Sequence, residues 1–153
     1  MCEEDHDGLR NKSVGKRIAD VAQQFDLEFV VLFGSRAKGR AVDRSDIDLA
    51  VMSARRGEHE KQGPEQDERH FSIIADLESA LAGTFGEVDV TFVNGAGPLI
   101  QYAIAKSGIP LFEHRPGTFI QFQSLAARRY EDSLKYFRAQ SEYLQRKYGR
   151  GTG

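Results

Sequence analysis

The stretch FGSRAKGRAVDRSDIDLAV, residues 33–51, links two segments that both have the composition of β-strands. The run LEFVVLF (27–33) is rich in β-branched and aromatic residues and ends at a glycine, which predicts a buried strand. The run DIDLAVM (46–52) alternates polar and apolar residues, which predicts a second strand with Asp46 and Asp48 on its polar face. Such a stretch fits either a plain surface hairpin or a site that holds a metal-bound nucleotide.

Amphipathic patterns predict helices on both sides of these strands. One helical face begins near Ser13, a candidate N-cap, and consists of Val14, Ile18, Val21 and Phe25. After a charged loop over residues 54–70, a second helical face consists of Phe71, Ile74, Leu77, Leu81 and Phe85. The segment 118–148 is predicted to be one long helix, because its apolar residues keep a spacing of three and four.

The remaining segments complete an α+β pattern. Residues 87–93 alternate as a third strand, residues 98–107 form a short helix stopped by Gly108, and residues 109–113 form a short extended segment. Pro110 suits the edge of a sheet, since proline lacks the N–H that a central strand needs. The order α-β-β-α-β-α-(β)-α, with the short extended segment in parentheses, predicts a small mixed sheet flanked by helices, with a long C-terminal helix.

Composition narrows the classes of function. A chain of 153 residues suggests one domain, and a net charge of −2 argues against a surface that binds nucleic acid directly. One cysteine, Cys2, excludes an intrachain disulfide and suits a reducing compartment. The acidic start and the lack of a long apolar run indicate no membrane span, so we expect a cytoplasmic protein.

The aspartates form the candidate site. Asp46 and Asp48 are two residues apart on a predicted strand, so both leave the same face, where two carboxylates repel unless a cation lies between them. Mg²⁺ prefers carboxylate and phosphate oxygens. Asp89 joins them if the second and third strands are neighbours, and three carboxylates would then hold two Mg²⁺ ions. Asp89 is also the residue placed to accept a proton from the nucleophile.

The residues after the first strand are suited to an anion. Gly34 lets the backbone approach a ligand closely, and Ser35 offers a hydroxyl donor. A helix that begins near Arg36 would add unpaired amide groups, and the Arg36 side chain would add positive charge for a phosphate. Each of these residues is also common at an ordinary turn between strands.

The set as a whole resembles a known family. Gly34-Ser35, ten residues and then Asp46-Ile47-Asp48 is similar to the G-S-x(10)-D-x-D signature of the polymerase-β-like nucleotidyltransferases, and Asp89 resembles the third carboxylate of that superfamily. The segments GSRAKG and SDIDLAV resemble most closely the minimal nucleotidyltransferase (MNT) branch. The resemblance extends through VDVTFVNGAGPLIQYAIAKSGIPLFE and YEDSLKYF, and so covers roughly residues 14–148.

The resemblance implies an antitoxin that transfers AMP from ATP to a tyrosine of a HEPN-domain ribonuclease toxin. It assigns Asp46, Asp48 and Asp89 to catalysis and Mg²⁺ binding, and Gly34 and Ser35 to nucleotide binding. Arg36 joins the nucleotide-binding candidates on its charge and its place after Ser35. The residue patterns, together with this resemblance, divide the chain into a flexible tail (1–12), a nucleotidyltransferase core (13–116) and a C-terminal helix (117–149) that is a possible partner-binding surface. The long loop at 54–70 departs from the most compact members.

Two other functions stay open from the sequence. One is transfer of the nucleotide to a small alcohol, as in aminoglycoside- or lincosamide-modifying enzymes, and the other is a non-catalytic antitoxin that neutralises its toxin by contact. The aromatic seam of the last helix, with Tyr130, Phe137 and Tyr148, is either a partner surface or part of the chain's own core. The acceptor, the number of AMP groups transferred and the oligomeric state in a complex are not fixed by the sequence.

Overall fold

A computed structural model describes residues 9, 11–34, 37, 46–54, 63–82 and 87–149. Five segments on which the sequence analysis relied in part, 1–8, 35–36, 38–45, 55–62 and 83–86, lie outside this description. The elements are α1 (Lys12–Gln24), β1 (Leu27–Phe33), β2 (Ile47–Ser53), α2 (Pro64–Ala80), β3 (Val88–Phe92), a 3₁₀ turn (Val93–Gly95), α3 (Pro98–Ser107), β4 (Ile109–Glu113) and α4 (Thr118–Tyr148). The predicted element order and the α+β class are confirmed.

The four strands form one mixed sheet in the order β3-β2-β1-β4. β1 runs antiparallel to both β2 and β4, whereas β2 and β3 are parallel. β4 is an edge strand of this sheet, which agrees with the prediction made from Pro110. The connection from β2 to β3 contains α2, as a parallel pair requires a crossover.

Each face of the sheet is covered by two helices. On one face, α1 and α2 bury the apolar set predicted for β2 together with side chains of β1 such as Val30 and Leu32. On the other face, α3 and α4 pack against Phe29, Val31 and Ala50. The ring of Phe29 lies 5.5 Å from that of Phe119 and 5.2 Å from that of Phe122, both on α4.

The N-terminus of α1 corrects the predicted cap. The structure has Asn11 at the N-cap, and its Oδ1 accepts hydrogen bonds at 3.1 Å from the backbone N–H of Ser13 and at 3.3 Å from the Ser13 hydroxyl. Asparagine and serine are both good N-cap residues, so local composition does not separate them. Ser13 is instead the second residue of the helix.

The second helix begins earlier than predicted, and its buried face agrees with the predicted one only in part. α2 starts at Pro64, which is well placed in the first turn because its missing N–H has no helical partner there. The prediction that residues 54–70 are all loop is therefore wrong for its last seven residues. Leu77 and Leu81 are buried as predicted, but Phe71 is 77% exposed, and the buried face also includes Ile73 and Ala80. The predicted Phe85 lies outside the described residues.

The long C-terminal helix is confirmed with the predicted bounds, and its burial is uneven. Only Phe119, Phe122 and Ala126 are buried, all in the first third of its 31 residues. Tyr130 stacks on Tyr102 of α3, with ring centroids 4.0 Å apart and planes at 5°. Beyond Leu134 every described residue is exposed. No helix in the described ranges combines the length and hydropathy needed to cross a membrane.

Candidate active site

The parallel pairing of β2 and β3 brings together the aspartates that the sequence singled out. Asp48 and Asp89 are register partners, so their Cα atoms lie about 4.8 Å apart on neighbouring strands. Their neighbours Ile47, Leu49, Val88 and Val90 belong to the α1/α2 side. Alternation therefore points both aspartates to the opposite side of the sheet. The expectation that β2 and β3 are neighbours is confirmed.

Asp46 stands one step before β2 on the same polar side. The backbone N–H of Ile47 donates to the carbonyl of Glu87 at 2.7 Å, which extends the parallel pairing beyond the ends of the two strands. Continuing the register by one residue places Asp46 beside Glu87. Glu87 is exposed and was not singled out from the sequence, although the alternation of EVDVTFV assigns it to the face of Asp89.

Gly34 forms the third side of the site. It follows β1, whose last residue, Phe33, is the register partner of Asp48. Its φ of +78° is a conformation that favours glycine. A β-carbon at this position would overlap Oδ2 of Asp48 and lie 3.2 Å from its Cγ. The glycine thus allows the chain to turn directly against the Asp48 carboxylate.

Electrostatics couple the three aspartates. Partial burial raises the pKa of Asp48 above its ordinary value of 3.8, and the negative charges of Asp89 and Asp46 raise that pKa further. A raised carboxyl pKa means that the charged form is disfavoured by its surroundings. A cation bound between the carboxylates would relieve both causes.

The donor set fits Mg²⁺ in its chemistry. Three carboxylates on one polar face supply the hard oxygen ligands that Mg²⁺ prefers. Among the described residues, no three acidic, histidine or cysteine side chains converge closely enough to count as a preformed metal site. Like charges at close range repel each other when no cation lies between them. The described geometry therefore places the three carboxylates on one side of the sheet without a preformed metal site.

Two of the predicted nucleotide-binding residues fall outside the description. Ser35 and Arg36 directly follow Gly34 and belong to the segments whose positions the structure leaves undescribed. Their roles stay predictions. The described part of the site is therefore the end of β1 at Gly34, the start of β2 and the start of β3.

A mixed sheet that presents aspartates from two parallel strands beside a glycine turn is the architecture of a nucleotidyltransferase. Residues 16–116 match the family described as "Polymerase beta, Nucleotidyltransferase", and the chain belongs to this family. The match covers the whole described site. The resemblance inferred from the G-S-x(10)-D-x-D spacing is confirmed at the level of the family.

Solved structures with the same fold come from toxin–antitoxin complexes. A chain of a toxin–antitoxin complex with AMP-PNP is 20% identical, with a TM-score of 0.63, and the match covers 86% of this protein and 98% of that chain. A chain of the MntA–HepT toxin–antitoxin complex is 18% identical, with a TM-score of 0.53, covering 88% and 95%.

A third such structure is the complex of a tri-AMPylated Shewanella oneidensis HEPN toxin with its MNT antitoxin. The matched chain is 18% identical with a TM-score of 0.53, and the match covers 88% of this protein and 94% of that chain. Similarity at these identities establishes the fold. A comparison with curated proteins gave no significant match in sequence.

Proposed function

We propose that this protein is an antitoxin that transfers AMP from ATP to a tyrosine hydroxyl of a HEPN ribonuclease toxin. The observation that carries the proposal is the register of Asp48 with Asp89, with Asp46 one step away on the same polar face. A scaffold that bound a partner by contact alone would not need mutually repelling carboxylates, whose repulsion costs stability.

The three aspartates have distinct proposed roles. Asp46 and Asp48 would hold both Mg²⁺ ions, and Asp89 would complete the set. When bound, Mg²⁺ neutralises the charge that develops on the phosphate oxygens. Asp89 is exposed, so an acceptor hydroxyl that approaches from solvent can reach its carboxylate.

The proposed transfer forms one bond, breaks one bond and moves one proton to a residue of the site. The tyrosine oxygen forms a bond to the α-phosphorus of ATP while the bond from that phosphorus to the bridging oxygen breaks. Pyrophosphate leaves with the electron pair. The phenolic proton passes to Asp89, which acts as general base. Gly34, Ser35 and Arg36 would bind the triphosphate, and the close approach of Gly34 to Asp48 supports this for the glycine.

The acceptor is proposed from two observations. The structures that share this fold are toxin–antitoxin complexes, and one of them contains a HEPN toxin that is AMPylated. The net charge of −2 gives no sign of a surface for a nucleic-acid acceptor. A protein hydroxyl is therefore the acceptor that the observations favour over RNA or DNA.

The test is intact-mass spectrometry of the candidate HEPN toxin encoded beside the antitoxin gene. The purified toxin is incubated with this protein, ATP and Mg²⁺. Peptide mapping then locates the modified residue, which we expect to be a tyrosine. We expect a gain of one or more AMP masses with the wild-type protein. Asp46→Ala/Asp48→Ala should give no gain, whereas Asp20→Asn, a change of an exposed acid on α1, should behave as the wild type.

Three outcomes would contradict the proposal. No gain in mass despite a stable complex would mean that the fold neutralises its partner by contact. Full neutralisation by Asp48→Asn would have the same meaning. Transfer to a purified aminoglycoside or lincosamide in the absence of any partner would identify a small alcohol as the acceptor.

A further inference from the structure

The outer half of α4, residues 135–148, exposes an aromatic surface that the described part of the chain leaves uncovered. Its large side chains are between 45% and 67% exposed, namely Tyr136, Phe137, Tyr143, Leu144 and Tyr148. On a helical wheel they span a face about 140° wide. A contiguous apolar face of this width on a surface helix normally packs against something.

This surface is continuous with the packed part of the helix. The positions Tyr130, Leu134, Phe137, Ser141, Leu144 and Tyr148 alternate in steps of four and three residues. That 3.5-residue period is the pattern with which one helix packs along another. Tyr130 already uses it against Tyr102 of α3, and the pattern then continues for about 27 Å from Tyr130 to Tyr148.

The outer half of α4 has a net positive charge, which favours a partner with an acidic surface. It contains four basic residues, Lys135, Arg138, Arg146 and Lys147, against one acidic residue, Glu142, although the whole chain has a net charge of −2. The ammonium of Lys147 lies 5.7 Å from the ring centroid of Tyr143 and 5.5 Å from that of Tyr148. Positive charge therefore sits on the aromatic face itself.

A second copy of this chain is a poor occupant. Two outer halves packed side by side would bring two strongly basic segments together, and like charges at close range oppose association. A groove between helices that is apolar inside and lined with Asp and Glu at its rims complements both the seam and the charge.

We propose that the outer half of α4 is a docking surface for an acidic, apolar-floored groove between helices of a protein partner. The proposal rests on the proposed function for the identity of that partner, the HEPN toxin. The buried residues that anchor α4, Phe119, Phe122 and Ala126, belong to its first third, so the outer half takes no part in that cluster.

The test compares binding of the same candidate toxin by calorimetry at low and high salt. We expect Phe137→Ala/Leu144→Ala to weaken binding at least tenfold, and Arg138→Glu/Arg146→Glu to weaken it with a smaller dependence on salt than the wild type shows. The control is Phe71→Ala, which removes an exposed aromatic ring from α2 instead of α4. Each variant should melt at the wild-type temperature, because the changed side chains are exposed.

The outcomes separate this inference from the proposed function. Wild-type affinity in both double variants overturns the docking surface, even if AMP transfer continues. Loss of binding in those variants together with no transfer by the wild type supports the docking surface and contradicts the transferase. A wild-type protein that sediments as a dimer and becomes a monomer in Phe137→Ala/Leu144→Ala would overturn the proposal in favour of a second copy.

Discussion

Gly34 and Asp48 lie against each other where β1 ends beside β2. The backbone of Gly34 turns with φ +78°, and the space that a β-carbon would occupy is filled by the Asp48 carboxylate. Residue 34 must therefore adopt a left-handed backbone conformation and must also lack a β-carbon. The same contact joins the predicted triphosphate turn to the predicted metal ligands, so a change at residue 34 disturbs both.

Replacement of Gly34 by alanine should therefore destabilise the fold and weaken ATP binding. The left-handed backbone alone costs about 1–2 kcal/mol for a residue with a β-carbon, and displacement of the carboxylate adds to this. The measurement is chemical denaturation together with ATP titration. Gly15→Ala is the control, because Gly15 lies inside α1 with open space around its β-position, and alanine there should stabilise by roughly 0.5–1 kcal/mol. Equal effects of the two changes would contradict this account.

Asp48→Asn should stabilise the protein at neutral pH without Mg²⁺. The pKa of Asp48 is higher in the folded state than in the unfolded state, so its charged form opposes folding. After solvent screening we expect a gain of at most about 1 kcal/mol, a rise in Tm of roughly 2–4 °C.

The pH dependence has a fixed sign. Below the ordinary pKa of 3.8, Asp48 is protonated in both states and its stabilising contribution is fully present. That contribution is lost as the pH rises through the raised folded pKa. The advantage of Asp48→Asn should therefore grow from acidic to neutral pH in thermal melts, and a constant advantage at all pH values would be inconsistent with the raised pKa. Saturating Mg²⁺ should remove the advantage if the ion binds between the carboxylates.

Asp89→Asn should lower the rate of AMP transfer much more than the removal of a nearby acidic side chain does. Removal of a general base lowers the rate by about 100-fold or more, and the metal site would lose a ligand as well. Glu87→Gln is the matched control, since it removes one exposed charge from the same face two residues earlier and leaves the register partner of Asp48 intact. The readout is single-turnover release of pyrophosphate. Similar losses in both variants would mean that only net negative charge matters.

Gly108→Ala should destabilise the core although Gly108 has an ordinary backbone conformation. Its N–H donates to the Ile104 carbonyl at 2.8 Å to end α3. An added β-carbon would lie 2.6 Å from Cγ1 of Val31 and 2.8 Å from Cζ of Phe119. Overpacking of this kind costs about 1–3 kcal/mol.

Denaturation curves of Gly108→Ala and Gly95→Ala provide the comparison. Gly95 has open space at its β-position and should tolerate alanine with little change in stability. An unchanged midpoint for Gly108→Ala would show that α3 and α4 can move apart without cost. The sequence predicted Gly108 only as a helix stop, and its packing role depends on strands and helices that are distant along the chain.

Strong local patterns were predicted from the sequence and are confirmed. The alternation of β2 predicted that Ile47 and Asp48 lie on opposite faces of the sheet, and the apolar spacing of residues 118–148 predicted the helix α4. Both patterns are reliable because backbone geometry sets a period of two residues in a strand and of about 3.6 residues in a helix. Predictions from weaker patterns were wrong where two residues suited the same structural position equally well. Ser13 and Asn11 both cap helices well, and the apolar Phe71 lies on the solvent side of α2 because the sheet meets the face of Leu77.

The sequence by itself determined the element order, the polar faces of β2 and β3 and the spacing from Gly34 to Asp46 and Asp48. Only the tertiary structure decided that β2 pairs in parallel with β3, so that Asp89, 41 positions further along the chain than Asp48, becomes its register partner. The tertiary structure also decided that the buried residues of α4 lie only in its first third. The pairing of strands and the length over which α3 covers α4 depend on contacts between distant segments, which local periodicity does not encode.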